Sequence, residues 1–250
     1  MRRPVGVCWD VDGTLLHGGR VGGDVLRDAF LAVTGHEPPR VAMGGMTDHL
    51  VAEAYRDGLP AEHAAALHDR GTEYTEAMVA AIADQWRGRS AALERVLTVL
   101  PGVREAVDRL AAEPGVDQIV LTGNVRVGAE LKLTAAGLHP GAFDLDQGVY
   151  GHLPGPRAAL VHAAREALER RHGRPVGLVV VGDTPRDVEA AHAAGAVAVG
   201  VATGSSSEAD LAAAGADHVL TDLSDPAPLV AVVRATGEDR GTTSRERVTP

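Results

Sequence analysis

Only one cysteine, Cys8, occurs among the 250 residues, so no disulfide can form within the chain. Its neighbours are Val7 and Trp9 in a short apolar run, where a thiol serves as a small core residue. No stretch dense in lysine and arginine is present and the formal net charge is −10, a balance that excludes a general binder of nucleic acid. An anionic substrate must therefore be attracted locally. Long hydrophobic runs are missing too. The start, MRRPVGVCWDVDG, carries two arginines and an apolar stretch that soon ends in acids, which fits neither a signal peptide nor a membrane span. A cytoplasmic protein without a membrane partner is expected. The eleven histidines show no paired spacing such as HExxH, so zinc chemistry has no support and most are expected at the surface.

What is there is an ordinary globular composition, 45% hydrophobic and 23% charged, with few aromatics and many alanine-bearing helical stretches. The length suits one compact body or two modest ones. Val5 to Trp9, Ile119 to Thr122, Leu178 to Asp183 and Val197 to Val201 are apolar runs of the kind that form buried parallel strands. Helical patterns fall between them, at Val103 to Ala112, Val125 to Ala136, Gly155 to Arg171, Pro185 to Ala194 and Glu208 to Ala214. Such alternation predicts an α/β fold built on a doubly wound parallel sheet. Residues 17–100 break the alternation with several amphipathic helical stretches and no convincing strand, and Gly18-Gly19 and Pro101-Gly102 bracket them as candidate hinges. The expected division is an α/β core from 1–16 and 101–236, a helical insertion from 17–100, and a polar, disordered tail from 237–250.

Four features follow the apolar strands. DVDGT, Asp10 to Thr14, puts Asp10 and Asp12 at a strand end where period-two geometry can bring both to one side. Carboxylates so close repel each other, and a hard divalent cation, magnesium by preference, relieves the repulsion. An acidic turn capping the next element is the alternative. LTGN, Leu121 to Asn124, offers a hydroxyl and backbone amides to phosphate oxygens, or else a helix cap. Lys132 is the sole lysine among 24 basic residues, which suggests a place that needs a compact ammonium and rejects a forked guanidinium; an exposed helix position is the alternative. GDTPRD, Gly182 to Asp187, sets Asp183 at a strand end and Asp187 one helical turn on, where acids also complement the helix dipole.

In this order the four features resemble the motifs of the haloacid dehalogenase (HAD) superfamily, and the helical insertion is similar to the cap of its phosphoglycolate phosphatase and β-phosphoglucomutase branch. The resemblance implies a HAD-like Rossmannoid core with an inserted cap, and a magnesium-dependent phosphatase acting on a small phosphomonoester. Carried over residue by residue, it makes Asp10 the nucleophile and Asp12 the general acid and base. Thr122 becomes a phosphate ligand with Gly123 and Asn124 beside it, and Lys132 the tether of nucleophile and phosphate. Magnesium is held by Asp10, the backbone carbonyl of Asp12, and Asp183, with Asp187 in support. Many relatives keep the lysine in a Lys-Pro pair after the next strand, where this chain reads GHLPGPR.

In the insertion, MGGMTDHL, Met43 to Leu50, pairs a flexible glycine loop with a Thr-Asp helix start in which Thr47 or Asp48 is the expected N-cap. Trp86 and the Arg87-Gly-Arg89 segment read either as substrate contacts or as a solvated helix end. Asp12 and Asp183 together argue against a dehalogenase, which needs only Asp10. A phosphosugar mutase of the same fold and a catalytically silent phosphate-ligand binder remain as alternatives. A phosphate-sensing receiver domain does not, because its phosphoacceptor lies on a later strand than its acidic pair.

Overall fold

The structure, a computed structural model, describes residues 2–138 and 141–238. The chain opens with strand β1 (Val5–Trp9), then β2 (Leu16–His17), helices α1 (Val21–Thr34), α2 (Asp48–Asp57), α3 (Ala61–Asp69) and α4 (Thr72–Val96), and β3 (Thr98–Val99). It continues through α5 (Val103–Ala111), β4 (Val116–Thr122), α6 (Arg126–Ala135), β5 (Val149–Tyr150), α7 (Arg157–His172) and β6 (Gly177–Gly182). It ends with α8 (Pro185–Ala193), β7 (Val197–Val201), α9 (Glu208–Ala213), β8 (His218–Leu220) and α10 (Ala227–Gly237). Among the described residues, no helix is long and apolar enough to cross a membrane.

Six strands form one sheet in the order β5-β4-β1-β6-β7-β8, parallel throughout. Their sequences are continuous apolar runs because both faces are covered. Side chains of alternate residues go to opposite faces: Val5, Val7 and Trp9 pack with α5, α6 and α10, whereas Cys8 joins α7, α8 and α9. Burial pushes the Cys8 thiol up to about 12, so it stays a protonated packing group. The register places the chemistry. Trp9 stands beside Val120 of β4 and Val181 of β6, so Asp10, Thr122 and Asp183 emerge together at the carboxyl edge of the sheet. Open α/β sheets bind ligands at that edge, beside the strand where the chain changes direction.

The four helices of the insertion have a core of their own, with Phe30, Tyr55, Tyr74, Met78, Ile82 and Trp86 buried together. They are also stitched to the sheet. Asp48 N donates to Gly123 O at 2.7 Å and His49 N to Gly151 O at 3.0 Å. At Gly123 any Cβ would collide with the Met46 carbonyl, so the close approach of insertion and core demands glycine there.

Several boundaries differ from those expected. β4 begins three residues before Ile119, because β1 continues to pair with it as far as Val5↔Val116. The expectation of no strand in 17–100 is corrected by β2 and β3, whose antiparallel pairing of Leu16 with Val99 and His17 with Thr98 ties the two connections of the insertion together. Two-residue strands hold too few positions to reveal a period in sequence. β5, β8 and α10 were likewise not expected, and α10 runs through the buried Gly237, so the polar tail does not begin at 237; residues 239–250 lie outside the described residues.

Ile119 is fully buried on the face carrying α7 and α8. Ile119→Ala should lower stability by about 2–5 kcal/mol through lost transfer energy and an unfilled cavity. Urea unfolding should show it as a lower midpoint with an unchanged slope; an unchanged midpoint would mean that this face of the sheet is loosely packed.

Candidate active site

Asp10 leaves β1 with its backbone N–H on Val181 O at 3.0 Å, and the next residues turn sharply through Gly13, whose φ of +83° suits glycine. A Cβ at Gly13 would meet the Asp183 carboxylate. Thr14 Oγ1 donates to Asp183 Oδ1 at 3.3 Å. Asp187, on the first turn of α8, takes the Thr184 backbone N–H (3.1 Å) and hydroxyl (2.6 Å) on Oδ2 as part of a capping box. Its Oδ1 accepts no hydrogen bond and turns toward Asp10 and Asp183, and one oxygen from each of the three buried carboxylates lies within 4.8 Å of the others. Capping and membership of the acidic cluster thus coexist in Asp187.

Such crowding has an electrostatic cost. Burial, opposed by Arg157 and reinforced by Asp187, raises Asp10 to about 6. Burial and then repulsion from Asp10 and Asp187 raise Asp183 to about 8. Arg157, which the motif reading did not single out, offsets part of this charge. Its Nη2 approaches Asp10 Oδ1 at 2.8 Å and Asp187 Oδ1 at 2.5 Å as ion pairs without hydrogen-bond angles, and its Nε and Nη2 are buried with no hydrogen bond. Burial works against the guanidinium charge, but Asp187 and Asp10 outweigh it. A signal did exist in GHLPGPR: Arg157 opens α7, a helix without an acid in its first turn, and a cation at that end opposes the helix dipole. Fully ionised, the three carboxylates against one guanidinium would leave two negative charges. That balance, the converging hard oxygens and an Asp187 Oδ1 that accepts no hydrogen bond fit a divalent cation held by Asp10, Asp183 and Asp187.

Asp12 turns its carboxylate away from this cluster. Lys132 Nζ donates to Asp12 Oδ2 at 2.5 Å and to Asn124 Oδ1 at 2.7 Å. Asn124 Nδ2 donates to the same Asp12 oxygen at 2.7 Å and to Thr122 Oγ1 at 2.8 Å. The Asp12 side chain is 46% exposed; partial desolvation in the cavity would raise it, yet the Lys132 charge and the hydrogen bonds from Lys132 and Asn124 together hold it below the usual carboxylate range. Lys132 is buried, on α6, under the Trp86 ring at 4.7 Å from its centroid. The compact ammonium there serves one ring, one carboxylate and one amide oxygen at once.

Asp10, Asp12, Thr122, Gly123, Asn124, Lys132 and Asp183 all line one cavity of about 330 Å³ between core and insertion. The insertion builds its other wall. Thr47 caps α2, accepting from Leu50 N at 3.2 Å, as the Thr-Asp start suggested. Asp48 instead reaches across to the core, where its Oδ2 takes Val125 N–H at the start of α6 at 2.7 Å; burial pushes it up to about 7. Arg186 on α8 donates to Gly44 O and so holds the glycine loop over the acids. Trp86 is no solvated helix end: it lies inside α4, buried, on the cavity wall. Arg87 and Arg89 pair with Asp84 and Asp28 on the insertion and do not line the cavity.

The two raised carboxyls have a consequence for stability. Because the folded values of Asp10 and Asp183 lie above the ordinary 3.8, the folded protein without metal binds more protons than the unfolded chain. The stability they contribute is present below about pH 4 and is lost as pH rises through about 6 and 8. In chelator, Asp183→Asn should therefore melt progressively higher relative to the wild type as pH is raised from 5 to 8.5. A difference in melting temperature that does not vary with pH would contradict the crowding.

Comparison with known proteins accords with this geometry. The sequence matches the haloacid dehalogenase-like hydrolase family over residues 5–195. No curated protein matches it. Among solved structures it is similar to a hydrolase from Pseudomonas syringae, at 22% identity and a TM-score of 0.62, covering 92% of this chain and 99% of that one. It is similar also to a predicted phosphoglycolate phosphatase from Haemophilus somnus, at 20% identity and a TM-score of 0.62, covering 92% and 98% of the two chains. A third likeness is to CbbY from Rhodobacter sphaeroides, solved in complex with phosphate, at 19% identity, a TM-score of 0.57 and coverage of 90% and 96%. These likenesses share the fold, and the family match spans most of the chain: the protein belongs to the haloacid dehalogenase-like hydrolase family.

Proposed function

We propose that the protein is a magnesium-dependent phosphatase that hydrolyses small phosphomonoesters through a covalent intermediate on Asp10, with residues 17–100 acting as a cap over a core of 1–16 and 101–236. The observation that carries this reading is the position of Asp10 between two charged groups in a cavity between core and insertion. Asp183, Asp187 and Arg157 lie on one side, and Lys132, Asp12 and Asn124 on the other. The phosphate-bound state of a structurally similar protein is in keeping with it.

Asp10 attacks phosphorus in line, the ester P–O bond breaks, and Asp12 delivers its proton to the departing oxygen. Water then attacks the aspartyl phosphate, and Asp12 accepts the proton that water gives up. Before substrate binds, Asp12 is held ionised by Lys132. An incoming phosphate provides a second anion for the ammonium and a like charge beside Asp12, and both effects raise the proton affinity of Asp12. Lys132 Nζ and Thr122 Oγ1 would hold equatorial oxygens, with Gly123 and Asn124 beside them, and such positioning supplies much of the rate in phosphoryl transfer. Magnesium, when held by the acidic cluster, would contribute the remaining positive charge there.

Phosphate release from a panel of phosphomonoesters, with and without magnesium, tests the reading. Wild type should turn over only with the metal, and Asp10→Asn should abolish turnover. Asp12→Ala should lose about 10²–10⁴-fold in kcat, the typical worth of a general acid and base. Folded protein that releases phosphate from no ester would remove the phosphatase reading, and an Asp10→Asn variant as active as wild type would remove Asp10 as nucleophile. Rearrangement of a sugar phosphate without phosphate release would turn the assignment toward a mutase.

A further inference from the structure

The cavity has two unlike halves. The half built by the core is polar and charged. The half built by the insertion is lined by Leu26 of α1, Val51 of α2, Trp86 and Leu93 of α4, and Met43 and Leu97 from the adjoining connections. Two permanently cationic side chains line the cavity among the described residues, Lys132 and Arg157, and both are engaged at the reacting end, by Asp12 and Asn124 and by Asp10 and Asp187. His17, the one histidine in the lining among the described residues, lies toward Asp12. The other ionisable groups there are carboxyls, Asp10, Asp12 and Asp183 at the reacting end and Asp48 from the insertion.

A leaving group enters this second half, and its chemistry can be inferred from what the wall offers. A carboxylate or second phosphate on the leaving group would be buried against hydrocarbon and beside Asp48, with no free cation to pair it. A sugar would set hydroxyls against the six apolar side chains of this wall, where hydration is lost without a side-chain hydrogen bond in return. An alkyl or aryl group loses neither and gains contact with the apolar wall. The volume of about 330 Å³ is at the small end for ligand pockets, which favours a compact ester.

Resting on the phosphatase reading above, we propose that the preferred substrate is the phosphomonoester of a small, uncharged and largely apolar alcohol, and that the insertion wall selects against phosphoglycolate, bisphosphates and sugar phosphates. Selectivity then arises from the insertion, while the core supplies a phosphate site indifferent to the alcohol.

The test compares kcat/KM for benzyl phosphate and 3-methylbutyl phosphate with that for phosphoglycolate, glycerol 3-phosphate and glucose 6-phosphate. The apolar esters should lead by at least about tenfold, the scale on which a hydrophobic pocket discriminates. Leu26→Arg, which adds a cation to the half-buried wall, should shift the ratio toward phosphoglycolate by a similar factor. Equal or better turnover of phosphoglycolate or a sugar phosphate by wild type would overturn the proposal and leave the phosphatase reading standing. Absence of turnover on every ester would remove that reading instead. Binding then judges the wall by itself: benzylphosphonate should raise the wild-type melting temperature more than phosphonoacetate does, and the reverse order would overturn the proposal without reference to catalysis.

Discussion

Mutual repulsion among Asp10, Asp183 and Asp187 governs the arrangement of this molecule around its sheet edge. Two of the three follow directly from the ends of adjacent parallel strands, and the third from the first turn of the helix that leaves one of them. Three carboxylates that converge away from water have few ways to coexist. They can keep protons, as the raised values of Asp10 and Asp183 show, or they can be met by positive charge. Arg157 supplies one such charge from the start of α7, and the balance that remains is what a divalent cation would satisfy.

Positive charge is divided between two places, and the division separates two carboxylates of the same short motif. Asp10 belongs to the acidic cluster and Arg157. Asp12, two residues on, belongs to Lys132 and Asn124 and is held ionised by them. Neighbouring carboxyls whose environments push them in opposite directions are how one site comes to hold both a nucleophile and an acid-base group. Trp86 couples this second pair to the insertion, since the ring that covers Lys132 is carried by α4.

Core and insertion also share the work at the level of packing. The insertion has its own apolar cluster, yet its glycine loop and the start of α2 are fastened to the strand ends by backbone hydrogen bonds and by the Asp48 carboxylate on Val125 N–H. The cavity is the space left between them, polar where the strand ends form it and apolar where the helices do.

The four long inner strands, the helices between them and the order of the motifs could be read from sequence, because buried parallel strands are uninterrupted apolar runs and their ends are marked by Asp, Thr and Gly. The edge pieces β5 and β8 and the β2–β3 pair were not legible, since such short strands show no period and take their place from pairing partners distant in sequence; α10 was missed as well, although it is longer than helices that were read. Sequence alone also singled out Lys132, as the one lysine, and narrowed the cap of α2 to Thr47 or Asp48, of which the structure chose Thr47. Arg157 passed unnoticed, one arginine among many, because its significance lies in what folding brings within ion-pairing distance across more than a hundred residues. Asp48 and Trp86 stood out in the sequence, as a candidate helix cap and a candidate substrate contact, but their partners belong to another part of the chain. Local composition thus determined which residues can do chemistry and on which elements they lie. Register and long-range packing decided which carboxylate faces which cation, because electrostatic energies depend on distances that only the folded chain sets.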